Sequence, residues 1–174
     1  MNYFEFYDIA PSLKVDKEQL RQVYLKNSKK YHPDFFTLED EEKQQEVLEL
    51  STLNNKAYKT LSDFDARMKY LLELKGILAE EGKNNIPQDF LLEMMDINEA
   101  IMELQFDFDQ TAYDQAIQNI ASLEETQFKT IESIVDTYNG DTDSNESLNK
   151  IKDYYLKKRY LLRIRENLNK FATP

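Results

Sequence analysis

Chemistry in this chain has little to work with: one histidine, His32, and no cysteine at all. Without cysteine there is no disulfide, no thiolate nucleophile and no cysteine-ligated zinc or iron–sulfur site within the chain. His32 stands in Tyr31-His32-Pro33-Asp34, a charged setting with no evident nucleophile partner, which argues against a Ser-His-Asp triad or a histidine metal site. No glycine-rich phosphate loop occurs. The inventory predicts no catalytic residues, no resident metal and no cofactor.

The His-Pro-Asp sequence does have a geometric meaning. Proline disfavours helical geometry at the residue before it and lacks an amide donor of its own. A helix reaching Tyr31 should therefore stop, with His32 extended and Asp34 projecting from a loop. Residues 14–31 carry six basic groups, Lys14, Lys17, Arg21, Lys26, Lys29 and Lys30, against Asp16 and Glu18, a balance of +4. A positive helix ending in a rigid, projecting carboxylate suits docking on an acidic surface. The plainer reading is a helix–helix turn in which Pro33 stops one helix and Asp34 caps the next.

The elements that position this motif read as helices throughout. A short helix is predicted over residues 2–8, and Asp16 is a natural N-cap for a second whose Leu20, Val23, Tyr24 and Asn27 follow helical spacing. Glu39-Asp40-Glu41-Glu42 places acids at the start of a third, with Val47, Leu48, Leu50, Leu53, Ala57, Tyr58 and Leu61 as its apolar set. Ser62-Asp63 opens a fourth through Arg67, Tyr70, Leu71, Leu72 and Leu74, and Lys75-Gly76 is a stop. Residues 77–87 hold Gly82, Asn84-Asn85 and Pro87 and read as a connector. Three long helices are predicted beyond it, at about Gln88–Phe108, Gln110–Tyr138 and Glu146–Phe171, with Asn139-Gly140-Asp141-Thr142-Asp143 as the turn before the last. Short connections imply an antiparallel three-helix bundle. The class is all-α, divided as 1–76, 77–87 and 88–174.

Composition agrees: of 174 residues, 41% are hydrophobic and 32% charged, with only three glycines and four prolines to make turns. The net charge of −11 is unevenly spread. Residues 1–76 carry −2, residues 77–147 carry −15 and residues 148–174 carry +6. So acidic a middle argues against nucleic-acid binding and suits the basic final helix or a basic partner. The N-terminal Met1-Asn2-Tyr3-Phe4-Glu5 lacks the basic and apolar regions of a secretory signal, and no apolar run reaches the ~18 residues that would span a bilayer. A cytoplasmic location away from membranes is expected.

The helix at 88–108 carries two apolar series. Phe90, Met94, Ile97, Ile101, Leu104 and Phe108 form an unbroken bundle seam. Leu92, Met95, Glu99, Met102 and Phe106 form another, and at 100° per residue positions 90 and 92 lie about 200° apart, on opposite sides. A three-helix bundle needs one stripe from each helix. The second must cover the N-terminal lobe, make an oligomer contact or bind a partner. Asp96, Glu99 and Glu103 border it, and flexible methionine beside orienting charges favours a partner site.

Tyr3-Phe4-Tyr7, the basic helix, His32-Pro33-Asp34, Phe35-Phe36 and the helix through Leu61 resemble a J-domain over residues 1–75. With the Ala66-Arg67-Met68-Lys69-Tyr70-Leu71-Leu72 segment and an acidic three-helix C-terminal region, the whole chain resembles the HscB family of iron–sulfur co-chaperones. That resemblance implies a J-domain helical hairpin and a bundle in an L-shaped arrangement. It implies that His32, Pro33 and Asp34, with Arg21, Lys26, Lys29 and Lys30, dock on a DnaK/HscA-type chaperone and stimulate its ATPase. It also implies that Leu91, Leu92, Met95, Asp96, Glu99 and Glu103 bind the iron–sulfur cluster scaffold protein, with an aromatic from the last helix, Tyr155 or, in the neighbouring register, Tyr154. Asp96 stands where the family more usually has a longer acid, keeping charge but shortening reach. The cysteine zinc site of some relatives does not transfer. The expected species is a monomer. Its rivals are a J-domain adaptor for a different client and a structural helical homodimer.

Overall fold

A computed structural model describes residues 1–80, 82–140 and 145–171, and among these it is all-helical, without strands. Residues 141–143 of the turn predicted before the last helix lie outside the described residues. The chain forms two compact units, one built on Met1–Leu74 and the other on Lys75–Thr137 with the last helix.

In the first unit, α1 (Tyr3–Phe6), α2 (Lys17–Lys30), a short 3-10 helix (Pro33–Phe36), α3 (Glu41–Ser62) and α4 (Phe64–Leu74) follow in order. Each boundary has a local cause. The Asp16 carboxylate accepts from the amides of Glu18 and Gln19 at 2.8 and 3.2 Å, starting α2, while Lys29 and Lys30 suit its negative C-terminal end. Asp40 does the same for α3 through the Lys43 amide at 2.8 Å, and Asp63 caps α4 through the Ala66 amide at 2.8 Å. Gly76, two residues past the end of α4, takes φ +67°, in the left-handed region that glycine enters without a Cβ penalty.

The core of this unit gathers Phe4, Tyr7, Leu13, Leu20, Val47, Ala57, Leu61, Met68, Leu71 and Leu72. Two polar side chains are buried with them. Asn54 accepts from the Tyr7 hydroxyl at 2.9 Å and donates to the Tyr24 carbonyl and the Ser28 hydroxyl, both at 3.1 Å, so one amide ties α1, α2 and α3 together. The Arg67 guanidinium donates twice to the Leu13 carbonyl, at 3.1 and 2.9 Å, and also to that of Leu61. Burial lowers the Arg67 pKa by penalising its charge. Among the described residues no buried side-chain nitrogen or oxygen lacks a partner. Leu48, counted in the apolar set of α3 from spacing, is exposed, and Asn54 takes the buried place on that face. Gly140 packs on this unit: its amide donates to the Pro11 carbonyl at 3.1 Å, and a Cβ there would lie 2.8 Å from the Pro11 Cβ.

The second unit holds α5 (Gln88–Phe106), α6 (Gln110–Lys129), α7 (Glu132–Thr137) and α8 (Asn145–Asn169). Phe90, Met94, Ile97, Ile101 and Leu104 of α5 pack with Ala116 and Ile120 of α6 and Leu161, Ile164 and Leu168 of α8. The seam read from spacing holds up to Leu104. Phe108 departs from it: α5 ends at Phe106 with Asp107 extended, and half-exposed Phe108 turns against Tyr113 and Phe171, ring centroids 5.8 and 6.2 Å apart. The single helix expected from Gln110 to Tyr138 is broken in two. The Thr130 hydroxyl donates to the Gln127 carbonyl at 2.6 Å, and the Ile131 amide donates to Phe128, three residues back, at 3.0 Å. That tightened turn directs Ile131 into complete burial. Acidic middle and basic last helix do meet: Arg165 donates to Glu124 through two parallel bonds of 3.0 and 2.6 Å.

Candidate functional site

Two exposed surfaces, one on each unit, gather nearly all the residues singled out from sequence. On the first, α2 ends at Lys30, Tyr31 leaves helical geometry, and His32 is extended at φ −75°, ψ 119°. Pro33 occupies the first position of the 3-10 helix, where a missing amide hydrogen leaves nothing unsatisfied. The His32 ring nitrogen Nδ1 accepts from the Asp34 amide at 3.3 Å, and the same nitrogen lies 3.8 Å from the Asp34 carboxylate. One nitrogen cannot accept that amide and carry a proton toward the carboxylate together. Asp34 itself is 83% exposed in its side chain, so its carboxylate is presented rather than consumed in the turn. The plainer expectation, in which Asp34 caps the next helix, does not describe this turn, because Asp40 caps α3.

Arg21, Lys26, Lys29 and Lys30 are all exposed on α2, and none of them pairs with an acid among the described residues. Lys30 lies over the Tyr31 ring, 4.9 Å from its centroid. Phe35 and Leu38, just past the motif, are also bare to solvent. Leu38 was not singled out from sequence. Its signal was an apolar side chain in the polar link between a basic helix and an acidic helix start.

On the second unit, α5 buries one face and exposes the other. Leu92 is 61% exposed and Met95 60% exposed, with Leu91 partly so; Asp96, Glu99 and Glu103 are exposed beside them. These six belong to one face of one helix. Met102 and Phe106 of the same series are exposed as well. The border toward α8 is set by Asn98, which donates to the Tyr160 hydroxyl at 3.0 Å, and by Phe90 packing edge-on to Tyr160 at 5.7 Å. Tyr155 differs: it is 5% exposed, as is Tyr154, so exposure does not choose between the two registers. Tyr155 lies against Arg159, whose guanidinium is 5.8 Å from the ring centroid, and Tyr154 packs edge-on to Phe128 at 6.1 Å. No group of three or more metal-ligating carboxylates or histidines forms among the described residues, and no helix there is long and apolar enough to cross a membrane.

With this geometry in hand, the chain is similar to proteins of known family along its whole length. The model of the HSCB C-terminal oligomerisation domain matches residues 86–169. The iron-sulfur cluster co-chaperone protein HscB of Mus musculus is 30% identical over 174 residues, covering 99% of this chain and 70% of the mouse protein. The co-chaperone protein HscB of Buchnera aphidicola is 37% identical over 108 residues, a match covering only 60% of that protein's length. The crystal structure of human co-chaperone protein HscB superposes with a TM-score of 0.74 at 27% identity, covering 100% of this chain and 83% of the human one.

Proposed function

The chain belongs to the HscB family of co-chaperones, and on that premise we propose that it stimulates the ATPase of a DnaK/HscA-type chaperone and delivers to it the protein scaffold on which iron–sulfur clusters are assembled. It works as a cytoplasmic, monomeric adaptor and has no catalytic residues of its own. The observation that carries this reading is the bare apolar–acidic face of α5, held in the same chain as a projecting His32-Pro33-Asp34 turn.

The chaperone side rests on charge and rigidity. Exposed Arg21, Lys26, Lys29 and Lys30 bring α2 to an acidic surface, raising the encounter rate and setting orientation. The proline-stiffened turn then places the Asp34 carboxylate against a basic group of the chaperone, favouring its hydrolysing conformation. On the client side, Leu91, Leu92 and Met95 supply apolar contact, and Asp96, Glu99 and Glu103 orient a basic rim. The last-helix aromatic of the client side is Tyr155 or, in the neighbouring register, Tyr154; both are 5% exposed in the free chain. The cluster is cargo held by the scaffold, because a chain without cysteine offers it no thiolate. Joining both sites in one molecule raises the effective concentration of client at the chaperone.

The test is chaperone ATP turnover with and without this chain. His32→Gln should abolish the stimulation while leaving the unfolding midpoint in place, because the ring is exposed. Undiminished stimulation by that variant would overturn the role given to the motif.

A further inference from the structure

Met102 and Phe106 occupy the last two turns of α5, on the exposed series but not among the residues assigned to the client above. They are 58% and 89% exposed. With Phe90 at the centre of the buried face, Leu91, Met102, Met95, Phe106 and Leu92 lie at about 100°, 120°, 140°, 160° and 200° around the helix axis. Glu99, Glu103 and Asp96 follow at about 180°, 220° and 240°. Apart from Leu92, which falls between Glu99 and Glu103, the apolar residues keep to one side of the face and the acids to the other. Along the axis the strip runs from Leu92 to Phe106, about 21 Å at 1.5 Å per residue. The aromatic cluster of Phe108, Tyr113 and Phe171 closes the nearby end of the core without Phe106.

The charges decide what covers this strip. A second copy meeting it in antiparallel fashion would pair about the middle of the series, at Glu99. Glu99 would then face its own counterpart, while Asp96 and Glu103 would be pressed against Met102 and Met95 of the other copy. Like charges opposed, and charges buried against apolar groups without partners, disfavour that assembly. A foreign protein with an apolar strip and basic groups along one edge meets no such penalty.

We propose that the client footprint on α5 extends through Met102 to Phe106, so that the scaffold protein lies along the full length of the helix with basic residues aligned on Asp96, Glu99 and Glu103. This rests on the client reading given above and deepens it. The experiment is calorimetric titration of the scaffold protein into the full chain and into Met102→Ala/Phe106→Ala, with amide hydrogen exchange of α5 in the complex alongside. The expected result is at least a tenfold rise in Kd for the variant, with an unchanged unfolding midpoint, and exchange protection reaching residues 102–106. A variant that binds within twofold of the native chain, or protection ending at Glu103, overturns the extension and leaves the client reading standing. No binding by the native chain overturns both. A native chain that sediments as a dimer, and becomes monomeric on Phe106→Ala, gives the strip to a second copy and also overturns the proposal.

Discussion

Replacing Leu92 and Met95 together with serine removes the centre of the exposed α5 face without touching the buried one. Both side chains are about 60% exposed in the free chain. Fully burying a leucine or methionine is worth about 1.5–3 kcal/mol, so a partner that completes the burial gains about 0.9–1.8 kcal/mol from each and about 2–3.5 kcal/mol from the pair. At 1.4 kcal/mol per factor of ten, the double variant should bind the scaffold about 30- to 300-fold more weakly. The serine hydroxyls, hydrated in the free chain and covered in the complex, push the effect toward the upper end. Because neither residue belongs to the core, the unfolding free energy should move by no more than about 0.5 kcal/mol. Stimulation of the chaperone in the absence of scaffold should be unchanged. Calorimetric titration beside a urea unfolding curve makes the comparison. A Kd within threefold of the native value, in a variant that folds normally, would refute the assignment of this face to the client.

Arg67→Met tests the first unit's interior. It leaves the Leu13 and Leu61 carbonyls without their guanidinium donor. Two buried acceptors at about 1–3 kcal/mol each, less the relief of no longer burying a cation, predict a net loss of about 2–4 kcal/mol in urea unfolding. A loss below about 1 kcal/mol would show the guanidinium to be dispensable. Burial raises the pKa of Tyr7 above that of a free phenol. Below about pH 10 the group is protonated whether folded or unfolded and adds no pH dependence. As pH rises past that value, the unfolded chain releases the proton and the folded chain keeps it, so stability falls. Tyr7→Phe should cost about 1–2 kcal/mol at neutral pH through the lost bonds to Asn54, and should make the decline between about pH 9 and 11 shallower. Thermal melts across that range check it; an equally steep decline in the variant would assign the titration elsewhere, Tyr70 being another tyrosine raised by burial.

What the sequence made legible, and what it hid, follow from how local each determinant is. Pro33 fixes the geometry of its own neighbourhood, so an extended His32 and a projecting Asp34 were readable from three residues. The two faces of α5 were readable because helical periodicity is a property of the stretch of sequence itself, and the residues of the second series fall outside the core as their angles require. Asn54 was harder to see. It sits seven residues after Val47 and seven before Leu61, squarely on the buried face, but an amide there is acceptable only because Tyr7, Tyr24 and Ser28 converge on it from two other helices. Arg67 is the same case, its cationic group made tolerable by carbonyls more than fifty residues away at Leu13 and nearby at Leu61. The break at Thr130 carries no glycine or proline to announce it; a hydroxyl bonding to its own helix and the burial of Ile131 produce it together. Surface pattern was thus more legible than interior architecture. A docking face needs only that side chains of the right type recur on one side of a helix, whereas a buried polar group depends on partners that the fold must first bring near.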